Sequence, residues 1–227
     1  MFASIGSLLE RLICVGIRDV CHFYDVALLS TNPSQGTGLG STGVLLQVED
    51  TYERERVRAA HAALGHRVAA SMMERRLANR LRFAVFLQAG TPVASTWLAS
   101  GGRYIDELNW WLPIDAEELW LRDVFVAPAW RGRRLFSALV ATLAWRKDKP
   151  ARRIWSDVDW DNEGSMNAHK AAGFSVVARV RAIDLGGRIR IRSALPSWPL
   201  PVDEIDPGAR LIWLRGHRLR RHQELLA

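Results

Sequence analysis

Residues Arg131-Gly132-Arg133-Arg134 put three arginines and a glycine in four positions, the grouping in this chain best suited to hold an anion. They follow an apolar run, Val124-Phe125-Val126, closed by Pro128. They precede Leu135, Leu139 and Leu143 with Ala138, Ala141 and Ala144, a three- and four-residue spacing that marks a helix. Strand, basic turn and helix start make an anion site for a physical reason. The first N–H groups of a helix have no internal acceptor, and the helix dipole adds partial positive charge there. Three guanidinium groups at that point suit a ligand bearing phosphates. Further on, Asn162, Ser165, His169, Gly173 and Phe174 form a second constellation. Asn162 is placed to cap a helix at its start, and Gly173 to close it in the left-handed conformation.

The elements that position these groups can be read from patterning. Residues 22–31 predict a first strand. The glycine-rich stretch 32–43 has a Gly-x-Gly-like spacing, but Val44–Val48 after it reads as a strand. A dinucleotide-binding turn needs a helix there, so a loop is expected instead. Residues 50–80 are helical in composition and are broken in two at Gly65. Leu81–Gln88 and Pro92–Ala99 predict two antiparallel strands, and Tyr104–Leu112 a further strand or a loop. Trp120–Ala127 is the strand before the basic turn. Ile154–Val158 is the next strand, Ser165–Ala172 a helix, and Val176–Leu185 with Arg188–Ala194 a hairpin around Gly186-Gly187. There is no internal repeat.

Residues 121–136 resemble the phosphate-binding motif of the GNAT N-acetyltransferase superfamily: a strand ending in Val-x-Pro, then Arg/Gln-x-x-Gly-x-Gly/Ala, then a helix. Trp130, Arg131 and Gly132 fit it; Arg134 stands where the second glycine is usual, and Phe136 where glycine is frequent. Residues 154–174 are similar to the family's later motif, Asn-x-x-Ser/Ala-x-x-x-Tyr-x-x-x-Gly-Phe, with His169 in place of Tyr. The resemblance spans about residues 81–192. It implies an α/β (α+β) fold, a mixed, largely antiparallel sheet of about six or seven strands flanked by helices.

The resemblance also implies a reaction and a set of roles. Members bind acetyl-CoA and transfer its acetyl group to an amine by direct attack. That chemistry needs a base for the amine, donors for the oxyanion and a proton for the departing thiolate. A backbone N–H from around Phe125 or Val126 would polarise the thioester carbonyl. The N–H groups of Arg131, Gly132, Arg133, Arg134, Leu135 and Phe136 would cradle the pyrophosphate, with the Arg134 backbone helical, and Asn162 would contact the cofactor or simply cap its helix. Bulk at Arg134 and Phe136 would hinder the pyrophosphate. His169 occupies the place of the family's tyrosine acid, or else is a packing residue. Asp123 lies near the family's glutamate base, or else pairs with a cation such as Arg122 or Arg103. Glu117 and Glu118 are the alternative bases, and Asp157 and Asp159 could bind an ammonium group.

Composition sets the remaining bounds. The chain has 227 residues, 48% hydrophobic, enough for one globular domain with a full core. The expected layout is an amphipathic helix in 1–21, the acyltransferase domain in 22–194, and a Pro-containing, Arg-rich extension in 195–227. No apolar run reaches membrane-spanning length, and Glu10 and Arg11 interrupt the first apolar stretch, which argues against a signal peptide. Two cysteines, Cys14 and Cys21, suggest neither zinc nor a disulfide framework, so the expectation is cytoplasmic. The pairs His61/His66 and His217/His222 are five apart, off a shared helix face, so no metal is expected. Trp97, Trp110, Trp111 and Trp120 are expected mostly in the core, or as an aromatic wall for an acceptor.

The net charge of +7 fits a polyanionic cofactor. The acceptor is expected to be a small-molecule amine, acting on a monomer or homodimer. The alternatives are an acidic macromolecular partner (transfer RNA, a protein, or an acyl carrier protein as donor), or a CoA-binding module without turnover.

Overall fold

The computed structural model describes residues 21–32, 46–105, 110–145, 150–185, 188–193 and 217–218. The expected N-terminal helix and almost all of the C-terminal extension lie outside these residues. The elements in chain order are β1 (Cys21–Thr31), β2 (Gln47–Thr51), α1 (Arg54–Leu64), α2 (Ala70–Ala78), β3 (Arg82–Gln88) and β4 (Thr91–Ala99). The order continues with β5 (Arg103–Ile105), β6 (Trp110–Leu112), β7 (Glu118–Val126), α3 (Leu135–Ala144) and β8 (Arg153–Asp159). It closes with α4 (Glu163–Ala171), β9 (Ser175–Leu185), β10 (Arg188–Ser193) and β11 (His217–Arg218).

Eight strands form the main sheet in the order β10-β9-β1-β8-β7-β4-β3-β2. Every neighbouring pair is antiparallel except β7 with β8, which is parallel. This is the mixed, largely antiparallel sheet that the sequence predicts, with one strand more than the expected count. The strand expected at Val44–Val48 is found displaced along the chain, at Gln47–Thr51, paired with Phe83–Leu87 at the edge. Tyr104–Leu112 does not join the main sheet. Its ends, β5 and β6, pair with each other, and β6 also pairs with β11, in a separate three-stranded sheet.

β1 is the first described strand, yet it sits inside the sheet, with Val26–Thr31 against β8 and Cys21–Ser30 against β9. Its residues point alternately into two cores. Ala27 and Leu29 join the core beneath α3 and α4, and Leu28 joins a second core with Trp120, Trp155 and Val180. A strand covered on both faces needs apolar residues at consecutive positions, which Val-Ala-Leu-Leu provides.

The helices are shaped by their ends. Gly65 closes α1 in the left-handed conformation at φ 67°, where a Cβ would be strained, and reverses the chain toward α2. α1 and α2 cover the face bearing Phe83, Val85 and Trp97. On the opposite face, α3 is apolar almost all round and buries Leu135, Phe136, Leu139, Val140 and Leu143 against the sheet and α4. No helix among the described residues is long and apolar enough to cross a membrane.

Candidate active site

The two central strands separate. β7 and β8 pair in parallel from Glu118/Arg153 to Leu121/Ser156 and no further, although β7 runs on to Val126 and β8 to Asp159. On its other edge β7 stays paired with β4 up to Val126. A wedge therefore opens beside residues 122–126, with the β7 backbone on one wall. Extended ligands bind such an edge by completing the ladder. One of its acceptors, Val126 O, takes a hydrogen bond from Arg131 Nε at 3.2 Å.

A bulge shapes this wall. Ser95 pairs with Phe125 and Trp97 with Arg122, so Asp123 and Val124 together oppose Thr96. Asp123 takes φ 52°, a left-handed value inside a strand. Thr96 Oγ1 fills the broken ladder by donating to Arg122 O at 3.1 Å. Bulges of this kind bend a strand and re-aim a side chain, and they cluster at functional sites.

The turn after β7 is built as the sequence suggests, with one difference. Pro128–Trp130 makes a single 3-10 turn, and Gly132 takes φ 76°. Arg134 is not helical: it takes φ 54° and ψ 27°, the left-handed conformation, as the N-cap of α3. A glycine there would cost nothing; Arg134 holds it against the Cβ penalty. The first backbone bond into the helix is Ala138 N–H to Arg134 O, so the N–H groups of Gly132 to Ser137 have no described backbone acceptor. Six free donors at a helix start, with three guanidinium groups, form a strong anion cradle. The Arg133 guanidinium lies over Trp130 and that of Arg131 over Phe125, at 4.9 and 5.8 Å from the ring centroids. Leu135 and Phe136 turn inward, and Phe136 packs on His169 and Phe174. The bulk of Phe136 thus stays off the outer surface of the turn, and only the backbones of these two residues face the cradle.

His169 lies on α4, 3% exposed. Its Nδ1 lies 2.8 Å from Ser165 O, which only accepts, so the proton sits on Nδ1. Nε2 then accepts from Ser156 Oγ at 2.9 Å. Burial pushes the His169 pKa down, against the opposing effect of the Ser165 carbonyl, so the ring is neutral at pH 7. Ser156 is the last β8 residue paired with β7, so its hydroxyl stands at the fork of the wedge. Asn162 Oδ1 accepts from Ser165 N–H at 3.0 Å as the cap of α4, and Gly173 takes φ 84°.

The carboxylates sort by position. Asp123 is at the bulge, but its Oδ2 accepts from Arg76 Nη1 at 2.6 Å, a pairing with a cation from α2. Glu118 is at the far end of β7, buried and bonded by Trp155 Nε1 at 3.0 Å; Glu117 beside it is exposed. Neither reaches the wedge. Asp157 accepts from Trp120 Nε1 at 2.5 Å, and Asp159 is exposed at the end of β8. Trp97 and Trp120 are fully buried, as the core reading of the tryptophans expects; side chains at Trp110 lie outside the described residues.

Three residues at the bulge lie outside both motifs: His61, His66 and Arg76. The His61 and His66 rings lie 4.9 Å apart. Five-residue spacing separates them on a continuous helix, but Gly65 ends α1 and folds His66 back. A histidine placed directly after a helix-closing glycine is the sequence signal for this contact. His66 stacks on Phe125, centroids 4.0 Å apart and planes 5° apart. Desolvation lowers both imidazole pKa values, that of His61 to about 4. Among the described residues no three His, Cys, Asp or Glu side chains gather as a metal site.

The sequence model of the acetyltransferase (GNAT) family matches residues 45–174, more than half of the chain. The chain belongs to the GNAT acetyltransferase family. The matched region contains the wedge, the basic turn and α4. No curated protein matches the sequence. Among solved structures, a GNAT-family acetyltransferase from Colwellia psychrerythraea is 16% identical at TM-score 0.48; the match covers 78% of this chain and 62% of that one. An aminoglycoside N-acetyltransferase in complex with CoA is 20% identical at TM-score 0.42, covering 59% and 95%. A ribosomal-protein alanine N-acetyltransferase from Escherichia coli is 14% identical at TM-score 0.41, covering 57% and 77%.

Proposed function

We propose that this GNAT protein moves an acetyl or other short acyl group from acyl-CoA to a primary amine of a small molecule, by direct attack in a ternary complex. The observation that carries this reading is the continuity of the β7–β8 wedge with the free N–H groups of residues 132–137. A ligand with an extended arm and a pyrophosphate needs both at once. The arm lies along β7, where the Phe125 or Val126 backbone polarises the thioester carbonyl. The pyrophosphate lies over the backbone N–H groups of Gly132, Arg133, Arg134, Leu135 and Phe136; the Arg131 N–H, expected among them, is instead taken by Pro128 O at 3.2 Å. Asn162 shapes this end by holding α4 in place. His169 acts through Ser156, fixing the hydroxyl that faces the departing sulfur at the fork.

The low cysteine count of the sequence suits a reducing cytoplasm. The excess positive charge favours a second reading, in which the acceptor or donor is an acidic macromolecule. Strong weakening of binding by salt supports that reading.

The test is a thermal shift with acetyl-CoA, followed by thiol release with a panel of primary amines. Stabilisation by acetyl-CoA and CoA release with at least one amine support the reading. Binding without turnover on any amine marks a binding module, and no binding refutes the cofactor assignment. In the same assay His169→Ala should lower turnover more than about tenfold with acetyl-CoA affinity near wild type. Unchanged turnover removes His169 from the mechanism.

A further inference from the structure

The face of β7 turned toward α1 and α2 collects polar atoms that packing alone does not explain. His61 is 6% exposed, and neither ring nitrogen has a partner. Trp97 Nε1, Ser95 Oγ, Arg76 Nε and His66 Nδ1 are likewise buried without one. Unpaired polar atoms in a core are costly, and their concentration at one place points to a working site. That place is the bulge, beside the wedge in which the acyl-transfer reading puts the thioester.

Asp123 is the carboxylate at this point, yet its charge is committed to Arg76. Its Oδ2 already accepts from Arg76 Nη1 at 2.6 Å, which turns that oxygen toward α2. His66 is better placed. Its ring is clamped flat on Phe125, the residue after the bulge, which fixes its plane at the wall of the wedge. Nδ1 is buried without a partner, the side chain as a whole keeps 13% of its surface exposed, and Nε2 lies 4.0 Å from Asp123 Oδ1. The charged or titratable groups in contact with this arrangement are His61 from α1, Arg76 from α2, Asp123 from β7 and Arg131, whose guanidinium lies over Phe125.

We infer that His66 Nε2 takes the proton of the acceptor amine, with Asp123 steadying the imidazolium and His61 and Arg76 holding the pair in place. This assignment rests on the acyl-transfer reading. The acceptor ammonium gives one proton to Nε2, and the freed lone pair forms the C–N bond at the thioester carbonyl. The C–S bond breaks as the adduct collapses. The second amine proton passes to the departing thiolate, and His66 returns its proton to solvent. A neutral ring in the resting protein suits this role, because the base must arrive unprotonated. The long contact to Asp123 shortens once the ring is charged.

The experiment compares wild type, His66→Phe, His66→Ala and Asp123→Asn, with benzylamine, ethanolamine and an amino sugar as acceptors. His66→Phe keeps the stack on Phe125, so the fold is retained and acetyl-CoA stabilises it as it does wild type. Its kcat/KM for the amine falls about a hundredfold or more, and the low-pH limb of the profile disappears. Imidazole in the buffer restores part of the activity to His66→Ala, which has room for it. Asp123→Asn stays active, with its low-pH limb moved to lower pH, because the carboxylate that raises the His66 pKa is gone. His66→Phe within threefold of wild type overturns the assignment while leaving acyl transfer intact. Wild-type protein that binds acetyl-CoA and acylates none of the amines overturns both.

Discussion

Arg134 offers the sharpest test of the site's construction. It caps α3 at φ 54° and ψ 27°, a conformation that costs an L-residue roughly 1–2 kcal/mol. Arg134→Gly removes that cost and adds back about 0.5–1 kcal/mol of backbone freedom in the unfolded chain. The net gain is about 0–1.5 kcal/mol, a rise of roughly 0–6 °C in Tm at the 2–4 °C per kcal/mol expected for a chain of this size. Arg134→Ala keeps the strain and removes only the charge, so its Tm should match wild type. Both variants lose one exposed guanidinium from the phosphate cradle, worth about 0.2–1 kcal/mol. Acetyl-CoA affinity should therefore fall by a similar factor in each, roughly 1.4- to fivefold. Thermal melts with and without acetyl-CoA read both quantities on the same samples. A fall in Tm of more than about 2 °C in Arg134→Gly, with Arg134→Ala unchanged, would refute the strain argument. Unequal affinity losses in the two variants would refute the assignment of Arg134 as a charge in the cradle.

Two further outcomes follow from the same geometry. Asn162→Ala removes the Oδ1 cap of α4 and should cost about 1 kcal/mol, seen as a lower urea midpoint, with acetyl-CoA affinity unchanged if capping is its whole role. His61 is neutral when folded, with its pKa lowered to about 4, and ordinary near 6.5 when unfolded. Between those values the unfolded chain binds more protons, so stability is full above pH 6.5 and falls as the pH drops toward 4, by roughly 3 kcal/mol at most. His61→Leu should flatten this part of the urea-midpoint profile, and an unchanged slope would exclude His61 as its source.

Local signals in the sequence were legible wherever one residue decides one backbone conformation. Asn162 as a cap, Gly173 in the left-handed region and Gly65 as a helix breaker are all found as expected. The limits of β3, β4, β7 and β8 fall within two residues of those expected, whereas the strand expected at Val44–Val48 lies at Gln47–Thr51 and Tyr104–Leu112 is split between β5 and β6. What escaped depends on partners far along the chain. Asp123 is defined by a bulge against β4 and by Arg76 from a helix 47 residues away, neither visible in its neighbourhood. Arg134 misled because propensity assigns an arginine before a helix to the helical region, while the turn geometry demands a left-handed residue. His61 and His66 looked unrelated because periodicity assumes an unbroken helix, and the break itself makes the contact. The inward turn of Phe136 depends on the space left by Phe174 and His169 across α3 and α4.

The position of β1 bears on how the molecule is made. Val26 finds its partner Asp159 about 130 residues later, and the strand also needs β9, later still. Contacts of such sequence separation are slow to form, because the intervening chain must be closed first. During synthesis β1 leaves the ribosome early and waits, apolar on both faces and open at both edges, until β8 and β9 are available. The wedge cannot take shape before then, since β8 lacks its outer neighbour. Assembly of the active site should accordingly be among the last events of folding, and the waiting strand is where chaperone capture or mispairing with another chain would begin.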